Sequence, residues 1–376
     1  MSGTTYLSGL RVFRQRSRQV GAAVGSEFEL LGAQSLTFKT VASLAGFALD
    51  LLRSRPNHIV FKSLTNRILD ERDLHQAPMK LYKEGKSDDI VTTFLEDIRC
   101  SFPHIVVTDV GHIAVMNGRT TKRNCDAGNN FYPQKSGVIE LNAILVGKLV
   151  DAVAAIKANR RSSPSTYDME VYRALHVRLG ITLAHELVHL YTHYLVRRQQ
   201  SHTPPNITYG PYGDDRKGES GRYWEERLFG GYIDMQDKVE PDPSDSRKLV
   251  RGPPVIGIWD GHQRKLWQIR TKALDDLLGR EFSKYLGDQL IDHAGATSAL
   301  RPERWNDSRY YLDPFTDPRD RAREKDRAGG WELSAAQVNY LVSEQVRDHA
   351  PKYAVSRTEL QRFSNDPTLA VTLRVM

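Results

Sequence analysis

Cysteine is nearly missing from this chain: there are two in 376 residues, Cys100 and Cys125. Two are too few for a multi-bridge disulfide framework or a four-cysteine zinc ribbon. They read as a single pair or as inert thiols, because a reactive thiol needs an electropositive, partly exposed setting. Long apolar runs are missing as well. No stretch reaches the roughly 18 apolar residues of a membrane-span candidate, and the longest tract, Val41 to Leu52, is interrupted by Ser, Gly and Asp. No apolar core follows the first residues, so no secretory signal is expected. A phosphate-binding glycine loop and a G-x-S-x-G elbow are both lacking, which removes the usual signs of nucleotide hydrolysis and serine-hydrolase chemistry. Charge excess is small: 53 basic minus 46 acidic residues gives +7, with 26% of the chain charged. Such a dense mixture reads as solvated surface, and nucleic acid is not an expected partner.

Forty per cent hydrophobic residues suffice for a sizeable core. The expected class is α+β, mainly helical with a small mixed β-sheet. Residues 1–26 carry Arg11, Arg14, Arg16 and Arg18 and no acid before Glu27. They read as a flexible basic segment, with a mitochondrial transit peptide as the alternative to a cytoplasmic chain. Residues 27–100 read as helical, since Leu44, Phe47, Ala48, Leu51 and Leu52 recur at three-four spacing up to Pro56. Strand-like runs at 104–109, 113–116 and 137–142 predict the sheet. Ala143 to Asn159 and Tyr167 to Gln199 read as helices, and a short helix is expected from Glu219 to Phe229, stopped by Gly230-Gly231. Prolines 241, 243, 253 and 254 predict irregular chain, 262–290 a helix, 301–330 a charged loop and 331–376 a helical segment. The catalytic domain is expected over 101–300.

The informative run is His185-Glu186-Leu187-Val188-His189. Histidines four apart lie on one helix face, a turn apart, and their imidazoles can reach one Zn²⁺ at about 2.0–2.1 Å each. Glu186 then sits at the rim, where its carboxylate can take a proton from an attacking water. Leu179, Leu183, Leu187, Leu190 and Tyr194 form a separate apolar stripe for the core. The bland alternative is two satisfied histidines on a helix surface. A third protein ligand is needed. His193 continues the face, but three histidines on a straight helix span about 12 Å and cannot converge. Downstream, Glu219 opens the next helix and could point back at the ion, with Glu225 and Glu226 as substitutes. Arg222 could orient the Glu219 carboxylate.

With these residues the chain resembles the zincin metallopeptidases, the glutamate-ligand branch in particular. The resemblance rests on His185, Glu186, His189 and the Glu-bearing helix downstream, about 50 residues in all. It implies zinc held by His185, His189 and a glutamate of the downstream helix, for which Glu219 is the first choice and Glu225 and Glu226 the substitutes, with Glu186 as general base and a peptide or protein substrate. It also implies a mixed sheet over the helix whose edge strand binds extended peptide; Val138–Asn142 is the expected strand. Tyr212, Tyr223, Tyr232 and His202 are open choices for stabilising the oxyanion. A zinc hydrolase of a non-peptide substrate and a catalytically silent binding protein of the same fold remain as alternatives.

Overall fold

A computed structural model describes residues 5–20, 23–75, 87–108, 117–122, 131–159, 165–196, 203–207, 218–242, 245–260, 265–269, 271–284, 335–341, 353–365 and 374–375. The protein is α+β. Strands β1 (Thr5–Leu10), β2 (Val12–Val20) and β3 (Ala23–Leu30) precede helices α1 (Leu36–Leu52), α2 (Arg55–His75) and α3 (Ser87–Cys100). Then come β4 (His104–Thr108), β5 (Gly118–Lys122), the short α4 (Pro133–Ser136), β6 (Gly137–Asn142), α5 (Ala143–Ala158), α6 (Thr166–Val196) and α7 (Ser220–Phe229). The remainder is β7 (Tyr232–Asp242), β8 (Asp245–Asp260), β9 (Lys265–Gln268), α8 (Thr271–Leu278), a 3₁₀ turn (Phe282–Lys284), α9 (Ala335–Leu341), β10 (Tyr353–Ser356), α10 (Arg357–Asn365) and β11 (Arg374–Val375).

The central sheet runs in the order β3-β2-β4-β6-β5. Strands β2, β4 and β6 are parallel, and β3 and β5 are antiparallel at the two edges. Alternation splits its side chains between two faces. Val12, Ile105, Val107, Ile139 and Leu141 join the helices in the main core. Phe13, Val106 and Val138 face the other way and are capped by Val338 and Leu341 of α9.

Helix α6, 31 residues long, is the axis of the main core: α1, α2, α5, α7, α8 and β5 all pack on it. It has no solvent stripe over its second half, so its apolar side chains are buried all round. Gly180 allows this, since a Cβ there would lie 2.4 Å from the Phe47 ring of α1. Helix α1 starts at Ser35, whose hydroxyl accepts from the Phe38 amide at 3.1 Å. Asn142 closes β6 and caps α5 in the same way, accepting from Ile144 N at 2.9 Å.

Several expectations are corrected. Residues 1–26 are not a free tail over the described part: β1 and β2 bury Leu7, Leu10, Arg11, Val12 and Phe13. The run Leu10 to Phe13 is buried on both faces of the sheet, Arg11 included, and counting arginines hid it. Val138–Asn142 is not the sheet edge. It is internal, between β4 and β5, because its backbone pairs on both sides. The edge is β5. The proline-bearing stretch after Gly231 forms a long antiparallel hairpin, β7–β8, with an irregularity in register between Asp237 and Val239. Residues 265–268 are a strand rather than helix, and β10 pairs with β1, so the described residues of 331–376 include strand as well as helix. The 301–330 loop and the strand expected at 113–116 lie outside the described residues. Among described residues no helix is long and apolar enough to cross a membrane, and Cys100 is a free, exposed thiol.

Candidate metal centre

Helix α6 carries His185 and His189 on the face toward α7, and the segment entering α7 brings Glu219 to meet them. That entry is tightly held. Gly218 N donates to Thr203 O at 2.9 Å and Glu219 N to Ile207 O at 2.7 Å. A Cβ at residue 218 would lie 2.0 Å from Pro204 O and 2.4 Å from Ile207 O, so only glycine fits. Glu219 then caps α7, its Oε2 accepting from Arg222 N at 2.7 Å. Its Oε1 is left facing the histidines.

Three ligand atoms converge. His185 Nε2 and His189 Nε2 are 3.2 Å apart, and Glu219 Oε1 lies 3.0 Å from His189 Nε2 and 3.3 Å from His185 Nε2. Three ligands about 2.0–2.1 Å from one ion would be separated by about 2.8–3.0 Å at right angles and about 3.3–3.4 Å at the tetrahedral angle. The observed triangle falls in that range, so these residues could hold one metal ion. Two imidazoles and one carboxylate suit a transition metal or zinc and disfavour calcium or magnesium, which take oxygen ligands.

The outer nitrogens are also committed. His185 Nδ1 donates to Glu225 Oε1 at 2.5 Å, which leaves Nε2 for an ion. Glu225 Oε2 accepts in turn from Arg222 at 3.1 Å and from Ile233 N at 2.9 Å. His189 Nδ1 meets Ser220 Oγ at 3.2 Å. Such outer partners fix ring orientation and tautomer. Gly221 completes the seat, for a Cβ there would stand 2.3–2.5 Å from three atoms of the His185 ring.

The charges are mutually supporting. Burial depresses the His185 pKa, but Glu219 and Glu225 outweigh it and raise the imidazole to about 9 in the metal-free protein. Burial dominates at His189, which is lowered. Burial would raise Glu219, yet the two histidines hold it well below the usual carboxylate range. Burial likewise opposes ionisation of Glu225, and Arg222 with His185 overcome it, setting the group at about 2.

Glu186 is buried on α6, and its backbone oxygen accepts from Thr120 Oγ1 of β5 at 2.9 Å. That bond seats the edge strand directly against the helix. Lys122, two residues along β5, lies on the same face. Burial lowers its ammonium to about 8, against the opposing pull of Glu219 and Glu186.

The structure thus brings together His185, His189 and Glu219 and assigns the other acids elsewhere. Glu225 acts on the far side of His185, and Glu226 faces Arg227 at 3.9 Å. Arg222 pairs with Glu225, correcting its expected pairing with Glu219 side chain to side chain, because one helical turn aligns those two residues. His193 is buried and outside the metal-ligand group. Tyr223 and Tyr232 are buried, and Tyr212 and His202 lie outside the described residues. Sequence reasoning missed Ser220, Gly221 and Lys122. Gly221 alone left a signal, a glycine inside a helix pattern, which marks a close approach. Comparison with known protein families, with curated proteins and with solved structures finds no match to this chain.

Proposed function

We propose that this chain is a zinc-dependent metallohydrolase of the zincin type, acting as a peptidase with Glu186 as general base. The observation carrying the reading is the convergence of His185, His189 and Glu219 within one bonding sphere, with Glu186 next to the first ligand and an open strand edge beside it. Two outer hydrogen bonds that leave both Nε2 atoms turned inward fit a bound ion better than a purely structural histidine pair.

Zinc in this site would lower the pKa of a water and polarise a carbonyl. The chain's own residues do the rest. Glu186 takes a proton from the attacking water and returns it to the departing amine. Glu225 and Ser220 keep the two imidazoles turned inward through the cycle. Among the described residues strand β5 has one side unpaired, and an extended peptide can add there as a further strand. That edge favours a peptide over a small ester or amide. The intact Glu186 favours an enzyme over a silent binding protein.

The test is metal analysis with hydrolysis of a quenched-fluorescent peptide library. Wild type should take up about one zinc per chain, as a single three-ligand site implies. Glu186→Gln should keep that zinc and lose hydrolysis. Wild-type turnover in Glu186→Gln removes the base, and a chain that ignores zinc ends the reading.

A further inference from the structure

We propose that Lys122 is a catalytic residue of this site, donating its ammonium hydrogens to the substrate oxygen that gains charge during attack. The inference rests on the hydrolase reading above and deepens it.

Three observations place the side chain. Alternation along β5 puts Gly118, Thr120 and Lys122 on the face toward α6, with Thr120 bonded to the Glu186 carbonyl. Arg119 and Thr121 point to the opposite face, where both bind Glu140. The end of β5 is drawn against α6: Lys122 pairs with Gly137, and a Cβ on Gly137 would lie 3.0 Å from Leu190 Cδ2, next to His189. The carboxylates acting on Lys122 are Glu219 and then Glu186, one of the three converging side chains and the proposed base.

Lys122 is partly buried, and no hydrogen bond or ion pair joins its side chain to another described residue. A desolvated ammonium with unspent donors is costly unless a partner arrives. A substrate oxyanion is such a partner. The two described tyrosines expected for this role have their rings against arginines. Tyr223 is held between Arg67 and Arg227, at 5.3 and 5.4 Å from its ring centre. Tyr232 lies under Arg222 at 4.6 Å.

The step balances without any oxidant or reductant. Water oxygen bonds to the carbonyl carbon, the π pair moves onto the carbonyl oxygen, and the water proton goes to Glu186. That oxygen accepts from Lys122, which keeps its own protons. When the C–N bond breaks, the pair re-forms the carbonyl and Glu186 gives its proton to the amine.

Inorganic phosphate is a tetrahedral anion and serves as the probe, titrated calorimetrically into the zinc-loaded full-length chain. Wild type should bind it saturably. K122M should hold the same zinc content and bind phosphate about tenfold to a hundredfold more weakly, the loss of a charged hydrogen bond. K122R should retain most of the affinity. Circular dichroism checks folding, and K122Q carries the comparison if K122M does not fold. Undiminished phosphate binding in zinc-loaded K122M, or none in zinc-loaded wild type, overturns the proposal. Zinc loss in K122M also overturns it, since Lys122 would then be only a counter-ion of the ligands. A wild type that takes up no zinc instead strikes the hydrolase reading itself.

Discussion

Gly221→Ala isolates the geometry of the metal centre from its chemistry. The new methyl would stand 2.3–2.5 Å from Nε2, Cδ2 and Cε1 of His185. Ordinary carbon contacts begin near 3.4 Å, so the ring must retreat by about 1 Å. Designed and natural sites tolerate errors of about 0.2 Å in ligand distance, so the displaced Nε2 no longer shares an ion with His189 and Glu219. Removing a mere outer partner costs about 10–100-fold in metal affinity, and displacing a ligand should cost at least the upper end, about 100-fold or ~2.7 kcal/mol. Helix α7 should survive, because alanine is favoured over glycine inside a helix by about 0.5–1 kcal/mol. Chelator competition reads the affinity, and thermal melting of the metal-free protein reads the fold. A variant that binds zinc within about threefold of wild type refutes the reasoning, because the difference would then be under 1 kcal/mol. So does a collapsed fold.

Two further outcomes concern protons. In the metal-free protein His185 is held protonated at neutral pH by Glu219 and Glu225, and an ion must displace that proton. Zinc uptake near pH 7 should therefore release about one proton, measured by calorimetry in buffers of different ionisation heat; zero release contradicts the assignment. His104 is buried with neither ring nitrogen bonded, its pKa lowered to about 3 by burial and then by Arg11. A depressed imidazole means the unfolded chain binds the proton first, so this contribution is present above pH 6.5 and lost as pH falls toward 3. The slope approaches 1.4 kcal/mol per pH unit. His104→Phe should remove that loss in denaturant melts on the acid side and add about 1 kcal/mol at neutral pH by removing unpaired buried nitrogens. A variant with wild-type acid sensitivity rejects it.

The helices that carry His185, His189 and Glu225 were the most legible part of the sequence. The apolar stripe from Leu179 to Tyr194 and the glycines at 230 and 231 bound α6 and α7 closely, because helical signals are local. The strands were less legible for the opposite reason. Strand β2 pairs with β3, which follows it, but also with β4, far along the chain, and no local pattern names a distant partner. Arginines at alternate positions of β2 read as a basic tail when only charge was counted. Pro253 and Pro254 argued against a strand, yet the β7–β8 pair carries them in an imperfect register. At the site, Glu219, Glu225 and Glu226 are alike in sequence. Only the backbone path through Thr203 and Ile207 aims the first at the histidines and turns the second to the back of His185.

Glu219 both opens a helix and faces the two histidines, and this has a cost in freedom. One of its oxygens accepts from the Arg222 amide, and the other is turned toward the two histidines. That hydrogen bond limits rotation of the carboxylate about its own axis, so the inward oxygen is held in place by the helix it caps. A shift of the α7 entry would therefore carry the inward oxygen with it, so the backbone path through Thr203 and Ile207 sets where that oxygen stands.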